Sequence, residues 1–254
     1  KICKIISYPA IAEQDEEFRK QGEALWPQRY KLEDLEQTQK LIGTKNFSAL
    51  YQQVPIASEN QEFKEHWFKE REPAEVERLN TRRFLTIDTA ISKKASSDYT
   101  GLCDNSVDTA NFWNLKAWRL KLDPLELIDL LFTLQNNRRY EKIGIEKTIY
   151  LQALKPFIDE EQRKRNKFLP IVELDHRQVN KEVRIRGLIP RYQSGSVYHL
   201  KGECRDLENE LLTFPQAIHD DVSDATAYQL QIAQRPFEAV RTYRREDNKK
   251  NPAR

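Results

Sequence analysis

From residue 83 onward the chain alternates short apolar runs with amphipathic ones. Two of the apolar runs, "RFLTID" (83–88) and "KIGIEK" (142–147), carry an acid at or beside their far end. This alternation restricts the fold more than any other feature. Runs of roughly four to eight apolar residues bounded by turn signals read as buried strands, and the segments between them must pack back onto the sheet they form. "TGLCDNSVD" (100–108) and "NFWNLKAWRLK" (111–121) add two strands, joined by a turn around Asp108–Asn111. "DPLELIDLLFTLQNN" (123–137) reads as a helix with Asp123 as its cap and Pro124 in its first turn. Beyond it the pattern predicts a helix over "IYLQALKPFIDEEQRKR", a strand over "FLPIVEL" (168–174), a basic helix near 180–190, a strand over "SVYHL" (196–200) and a helix over "CRDLENELLTF" (204–214). A last helix opens in "HDDVSDATAY" (219–228). The expected fold class is α/β, a mixed central sheet flanked by helices.

The first 80 residues differ in character. "KICKIISY" (1–8) reads as a short strand, 31–43 as a helix with Leu32, Leu35 and Leu41 on its period and Gly43 at its end, and 46–55 as a second helix stopped by Pro55. This segment has too few apolar positions for an independent large core, and a boundary is expected near 80, where the pattern changes. The expected organisation is a linker or accessory segment over 1–80, a main domain over 81–240 and a basic tail over 241–254.

Four Trp, ten Tyr and eleven Phe supply a real core, although 32% of the 254 residues are charged. Cys3, Cys103 and Cys204 lie far apart without CxxC spacing, so the expectation is a reduced, intracellular protein without a zinc site. No apolar run approaches the roughly 20 residues of a bilayer span, and no membrane partner is expected. Methionine is absent, where average usage would give roughly five. An intact mass well above 30.1 kDa would trace that absence to lost modified methionines.

Net charge is only +2, but 160–168, 176–191 and 241–254 are locally basic. Each patch is either a solvated face or a surface for nucleic-acid backbone. Lys181, Arg184 and Arg186 fall on one predicted helix and divide between the same two readings.

Asp88 and Glu146 close apolar strands at the sheet edge where ligands of open α/β proteins bind. Asp220, Asp221 and Asp224 crowd the start of the last helix, with Asp220–Asp224 and Asp221–Asp224 spaced to share a helix face. The cluster can cap and charge-match the helix, or hold a cation, or both. Converging oxygens with little His or Cys suit Mg²⁺ or Mn²⁺, and two such ions can activate water and stabilise the leaving oxygen in phosphodiester cleavage. His219 is either a loop residue or a group that polarises water or touches phosphate. Asp98 is either a turn residue or an outer carboxylate behind the cluster.

"FLTIDTAISKKASSDYTG", "IGIEKTIYLQALKPF", "NKEVRIRGLIPRYQSGSVYHL" and "LENELLTFPQAIHDDVSDATAY" together resemble the nuclease domain of the large terminase subunit of tailed bacteriophages. Upstream, "YPAIAEQDEEFRKQGEALWPQRY" and "NFSALYQQVP" resemble the stretch joining motor to nuclease in that family. The resemblance spans nearly the whole chain in order. It implies an RNase H-like fold and a metal-dependent endonuclease that cuts concatemeric viral DNA during packaging. Asp88, Glu146 and Asp221 match the family's catalytic acids, with Asp220 as an additional ligand and Asp224 of second rank. The implied cofactor is Mg²⁺ or Mn²⁺, as two ions. The implied partners are double-stranded DNA, the portal protein and the small terminase subunit, and the implied place is the host cytoplasm at the procapsid. A GxxxxGK[ST] phosphate loop is missing, so the expectation is a fragment without the ATPase motor. On the same fold, a junction resolvase or transposase, or a non-catalytic docking module, are the competing readings.

Overall fold

The computed structural model describes residues 7–42, 44–54, 61–89, 99–175, 179–217 and 219–236. Asp98, most of the strand expected over 1–8 and the basic tail lie outside them. Ser7 and Tyr8, the described end of that expected strand, are not in a strand. Seven strands form one sheet in the order β1-β7-β4-β3-β2-β5-β6. They are β1 (Lys69–Arg71), β2 (Thr81–Asp88), β3 (Thr100–Asp108), β4 (Trp113–Leu120), β5 (Lys142–Glu146), β6 (Ile171–Leu174) and β7 (Val197–Leu200). β3 alone runs against the rest, because its pairs with β2 and β4 are antiparallel and every other pair is parallel. The meander β2–β3–β4, extended beside β2 by parallel β5 and β6, is the RNase H-like arrangement that the sequence motifs implied. β1 precedes residue 81, so the sheet reaches across the expected boundary.

Period-two alternation sorts the strands' side chains between two cores. Leu85, Ile87, Leu102, Ile143 and Ile145 meet α4 (Pro124–Arg138) and α5 (Ile149–Arg165) on one face. Phe84 and Cys103 face the other way, toward α6 (Lys181–Arg186), α7 (Ile189–Gln193), α8 (Arg205–Thr213) and α9 (Asp221–Ile232). By the same alternation Thr86 and Asp88 follow Phe84, and Gly144 and Glu146 share the opposite side from Ile143 and Ile145. Both strand-end acids therefore face the α9 layer. Thr86 fixes that layer by donating to the Ala225 carbonyl at 2.6 Å, and Gln229 Nε2 donates to Thr86 Oγ1 at 2.9 Å and to the Cys103 carbonyl at 2.8 Å.

The expected helices at 123–137 and 204–214 form as α4 and α8, and Asp123 caps α4 through Leu125 N and Glu126 N. Three elements differ. The basic helix breaks at Gly187 into α6 and α7, with Pro190 starting the second, where its missing N–H does no harm. The strand expected from 168 begins only at Ile171, and Phe168 is 80% exposed. In the upstream segment α1 (Leu32–Ile42) and α2 (Thr44–Leu50) form, but of the three leucines only Leu35 is buried, against Ala24 and Phe47. Leu41 is 86% exposed, because Ile42, seven residues on from Leu35, takes the inward position against the same small core.

Candidate active site

Six strands point the same way, so the C-terminal ends of β2, β4 and β5 and the start of β3 share one edge. Asp88, Glu146, Lys121 and Tyr99 gather there, and the N-terminus of α9 lies across it. Gly101, paired with Asp88 in the ladder, allows the crossing. A Cβ on it would lie 2.2 Å from the Asp221 carbonyl oxygen.

The acids converge on one ammonium. Lys181 Nζ, from the first residue of α6, lies 2.8 Å from Asp220 Oδ1, 3.2 Å from Asp88 Oδ2, 3.7 Å from Asp224 Oδ2 and 3.9 Å from Asp221 Oδ1. Arg184, one turn on, makes a two-pronged contact with Asp224, Nε to Oδ1 at 2.8 Å and Nη2 to Oδ2 at 2.6 Å. Asp224 is only 2% exposed. It thus stands within the cluster rather than at its margin, and its charge is matched in place. Glu146 lies close enough to raise the pKa values of Asp88 and Asp224. The buried Tyr228 hydroxyl, whose proton is held more tightly by burial and then by Glu146, has no full hydrogen bond, and neither does the buried Thr89 hydroxyl.

Burial is the first cause of the unusual acidities here. It pushes Asp88 up to about 8, with Lys181 opposing and Asp224, Glu146 and Asp221 adding to the rise. It also raises Asp221 and Asp224 against the pull of Lys181 and, for Asp224, Arg184. For Lys181 burial works against the charge, but Asp88, Asp224 and Asp220 outweigh it and hold the proton above its ordinary pKa.

The expected local cap of α9 is absent. Asp220 occupies the cap position without a side-chain cap bond, since its carboxylate is drawn to Lys181. Glu210 of α8 does that work from outside, accepting from Ser223 N and Ser223 Oγ, each at 2.7 Å. An acid at the i+3 position from Leu207 and beside Leu211, on an otherwise apolar face, was the sequence signal for it. Glu210→Ala should cost about 2–3 kcal/mol, because it leaves buried donors at a helix start unpaired. Chemical denaturation checks this, and a loss below about 0.5 kcal/mol would contradict it.

Burial lifts Glu210 also to about 8, with the Ser223 bonds opposing. Glu210 and Asp88 therefore bind protons more tightly in the folded chain than in the unfolded one. Their contribution to stability is full below the ordinary carboxylate range, declines as pH rises, and is gone above about 8. Thermal melts in EDTA between pH 5 and 9 should show this decline, and Asp88→Asn should make it shallower.

His219 is engaged elsewhere. Its Nε2 donates to the Glu13 carbonyl at 2.6 Å, with the Gln21 amide nitrogen 3.2 Å away, and its ring meets Tyr99 edge-on. It ties the upstream segment to the site's rim. Arg186 bonds Glu62 through Nε and Nη2, both at 2.8 Å, and Glu182 at 3.2 Å. All three basic residues singled out in the sequence are thus paired with acids. In the 160–168 patch Lys164 pairs with Glu160 and Glu161, and Arg165 with Glu161 and with Asp129 of α4. Tyr99, not singled out in the sequence, is flanked by Arg119 at 4.6 Å and Lys121 at 5.1 Å from its ring. An aromatic between two cations beside the acids suits a phosphate-sugar backbone.

The carboxylates supply oxygen donors only, which fits a hard divalent cation. Of the described side chains, Asp88, Glu146, Asp220, Asp221 and Asp224 are those that could hold one. Among the described residues no three acids, imidazoles or thiols already form a finished cage.

No protein-family model and no curated protein matches the chain. Among solved structures it is similar to the large terminase nuclease of thermophilic phage G20c with bound zinc, at TM-score 0.44 and 16% identity, over 61% of this chain and 83% of that one. It is similar to the large terminase of bacteriophage HK97 at TM-score 0.39 and 11% identity, over 53% of this chain and 32% of that one. A third likeness is to the human cytomegalovirus terminase nuclease domain, manganese-soaked and inhibitor-bound, at TM-score 0.38 and 10% identity, over 66% and 94%. At these identities and scores, function has to be argued from the chain's own residues.

Proposed function

We propose that the chain is a divalent-metal-dependent endonuclease acting on double-stranded DNA, of the terminase type that its motifs resemble. The observation that carries the reading is the convergence of Asp88, Asp220, Asp221 and Asp224 within 3.9 Å of a single cationic atom at the sheet edge. Such crowding of partly buried acids is costly unless positive charge is to be held there. Bound Mg²⁺ or Mn²⁺, as a pair, would supply an activated water and stabilise the leaving oxygen. Asp88 and Glu146 hold the sheet side of the centre, and Asp220 and Asp221 the helix side. Arg184 fixes Asp224. Tyr99, Arg119 and Lys121 receive the backbone beside the cut, and the basic helix α6 borders the opposite flank. In the packaging reading, the cut DNA is a viral concatemer, the chain works at the procapsid in the host cytoplasm, and the portal and small terminase subunit are its partners.

The test is nicking of supercoiled plasmid by EDTA-stripped protein to which Mn²⁺ or Mg²⁺ is returned. Metal-dependent nicking, with cleavage of plain linear duplex as well as four-way junctions, is the expected result. Cleavage confined to junctions would overturn the terminase reading, and no cleavage with either ion would overturn the nuclease reading.

A further inference from the structure

Among the described residues, Lys181 and Arg184 pair with the acids of the site, Asp88, Asp220, Asp221 and Asp224, and Glu146 acts on Arg184 from nearby. Their roles differ. Arg184 makes a fixed fork with one acid, whereas Lys181 is a point charge shared among four. Its ammonium sits 2.8–3.9 Å from their oxygens. Oxygens that close on Mg²⁺ do so at about 2.0–2.1 Å. The carboxylates are therefore spread around an ammonium, which accounts for the lack of a finished cage among the described residues. A divalent ion drawn to the same oxygens would meet a positive charge already at their centre.

We propose that Lys181 is the resident cation of the metal-free cluster, displaced when a divalent ion enters, and that it thereby sets the ion affinity of the site. This rests on the metal-centre reading above. The side chain is built for displacement: it is 30% exposed, and its flexible four-carbon stem lets the ammonium leave while the helix stays. The helix itself is anchored, since Asn180 Oδ1 accepts from Glu182 N at 3.0 Å and Ile185 is buried in the core. In the metal-free chain the ammonium offsets repulsion that would otherwise force the acids apart. In the loaded site it becomes a competitor moved outward, on the side where a substrate phosphate approaches.

Calorimetric titration of the whole chain with Mn²⁺ tests this in the native protein, Lys181→Gln and Lys181→Arg. Removing a unit positive charge about 4 Å from the ion should tighten Mn²⁺ binding by about tenfold or more. Lys181→Arg, which keeps the charge, should stay within about threefold of the native protein. A separate measurement needs no variant. Reductive methylation of the native chain, read at Lys181 by peptide mass spectrometry, should run several-fold faster with saturating Mn²⁺ than in EDTA. Mn²⁺ bound with equal or weaker affinity by Lys181→Gln, or methylation of Lys181 unchanged by Mn²⁺, would overturn the proposal and leave the metal centre standing. If neither the native protein nor the variants bind Mn²⁺, the metal-centre reading fails and this proposal with it.

Discussion

Asp88→Asn is expected to lower Mn²⁺-dependent nicking by about a hundredfold to a thousandfold, the scale on which losing one charge-stabilising group at a reaction centre acts, while the fold stays intact. Asp88 closes β2, is 7% exposed and faces the α9 layer, with Lys181 Nζ at 3.2 Å. Its carboxyl holds a proton up to about 8, so near neutrality the metal-free chain already favours an uncharged group there. Asparagine reproduces that group in size and charge and loses only the oxygen that would ionise to bind a cation. Stability at pH 7 should therefore change by less than about 1 kcal/mol. Nicking in the variant within tenfold of the native rate would show that Asp88 is not the sheet-side ligand. A collapse of stability would show that its charge, not its shape, holds the edge together.

Gly101→Ala should be the most damaging change outside the acids. The added Cβ would meet the Asp221 carbonyl oxygen at 2.2 Å, the Asp221 carbonyl carbon at 2.4 Å and Val222 N at 2.9 Å, all of them backbone atoms of α9. No side-chain rotation relieves that overlap, so the helix start must move. Overpacking of this kind costs about 1–3 kcal/mol or more, and a shift of about 1 Å in a reacting group costs about a hundredfold in rate. We expect both losses, read by denaturation and by plasmid nicking. Gly144→Ala provides the contrast. The three atoms nearest its new Cβ all belong to the Leu174 side chain, from 2.8 Å, and a side chain yields more readily than a helix backbone. Equal effects at the two positions would contradict the close approach of α9 to β3.

The strands and their terminal acids were legible because buried strands leave compact apolar runs, and an acid closing such a run stands out. Asp88 and Glu146 were found this way, and the α9 acids by their crowding. The competition for those acids was hidden. Lys181 is 39 to 43 residues from Asp220, Asp221 and Asp224 and 93 from Asp88, and no local spacing joins them. Its helix divided between a solvated face and a surface for DNA, because basic residues on a helix look alike whether their partners are water, phosphates or distant carboxylates. The cap was misplaced for a related reason. Three aspartates at a helix start suggest local capping, but Glu210 lies on α8 and reaches Ser223 only through packing. Gly101 did leave a signal, since a glycine inside a strand marks a bulge or a close backbone approach. Its meaning depended on the register that sets it opposite Asp88.

The most direct test of the metal centre is anomalous diffraction from crystals of the chain soaked in millimolar Mn²⁺. The predicted result is a manganese peak bound by Asp88 together with Glu146 or with Asp220 and Asp221, with the Lys181 ammonium moved out of the cluster. A map with no manganese at Asp88, and Lys181 still seated among the four aspartates, would contradict the account.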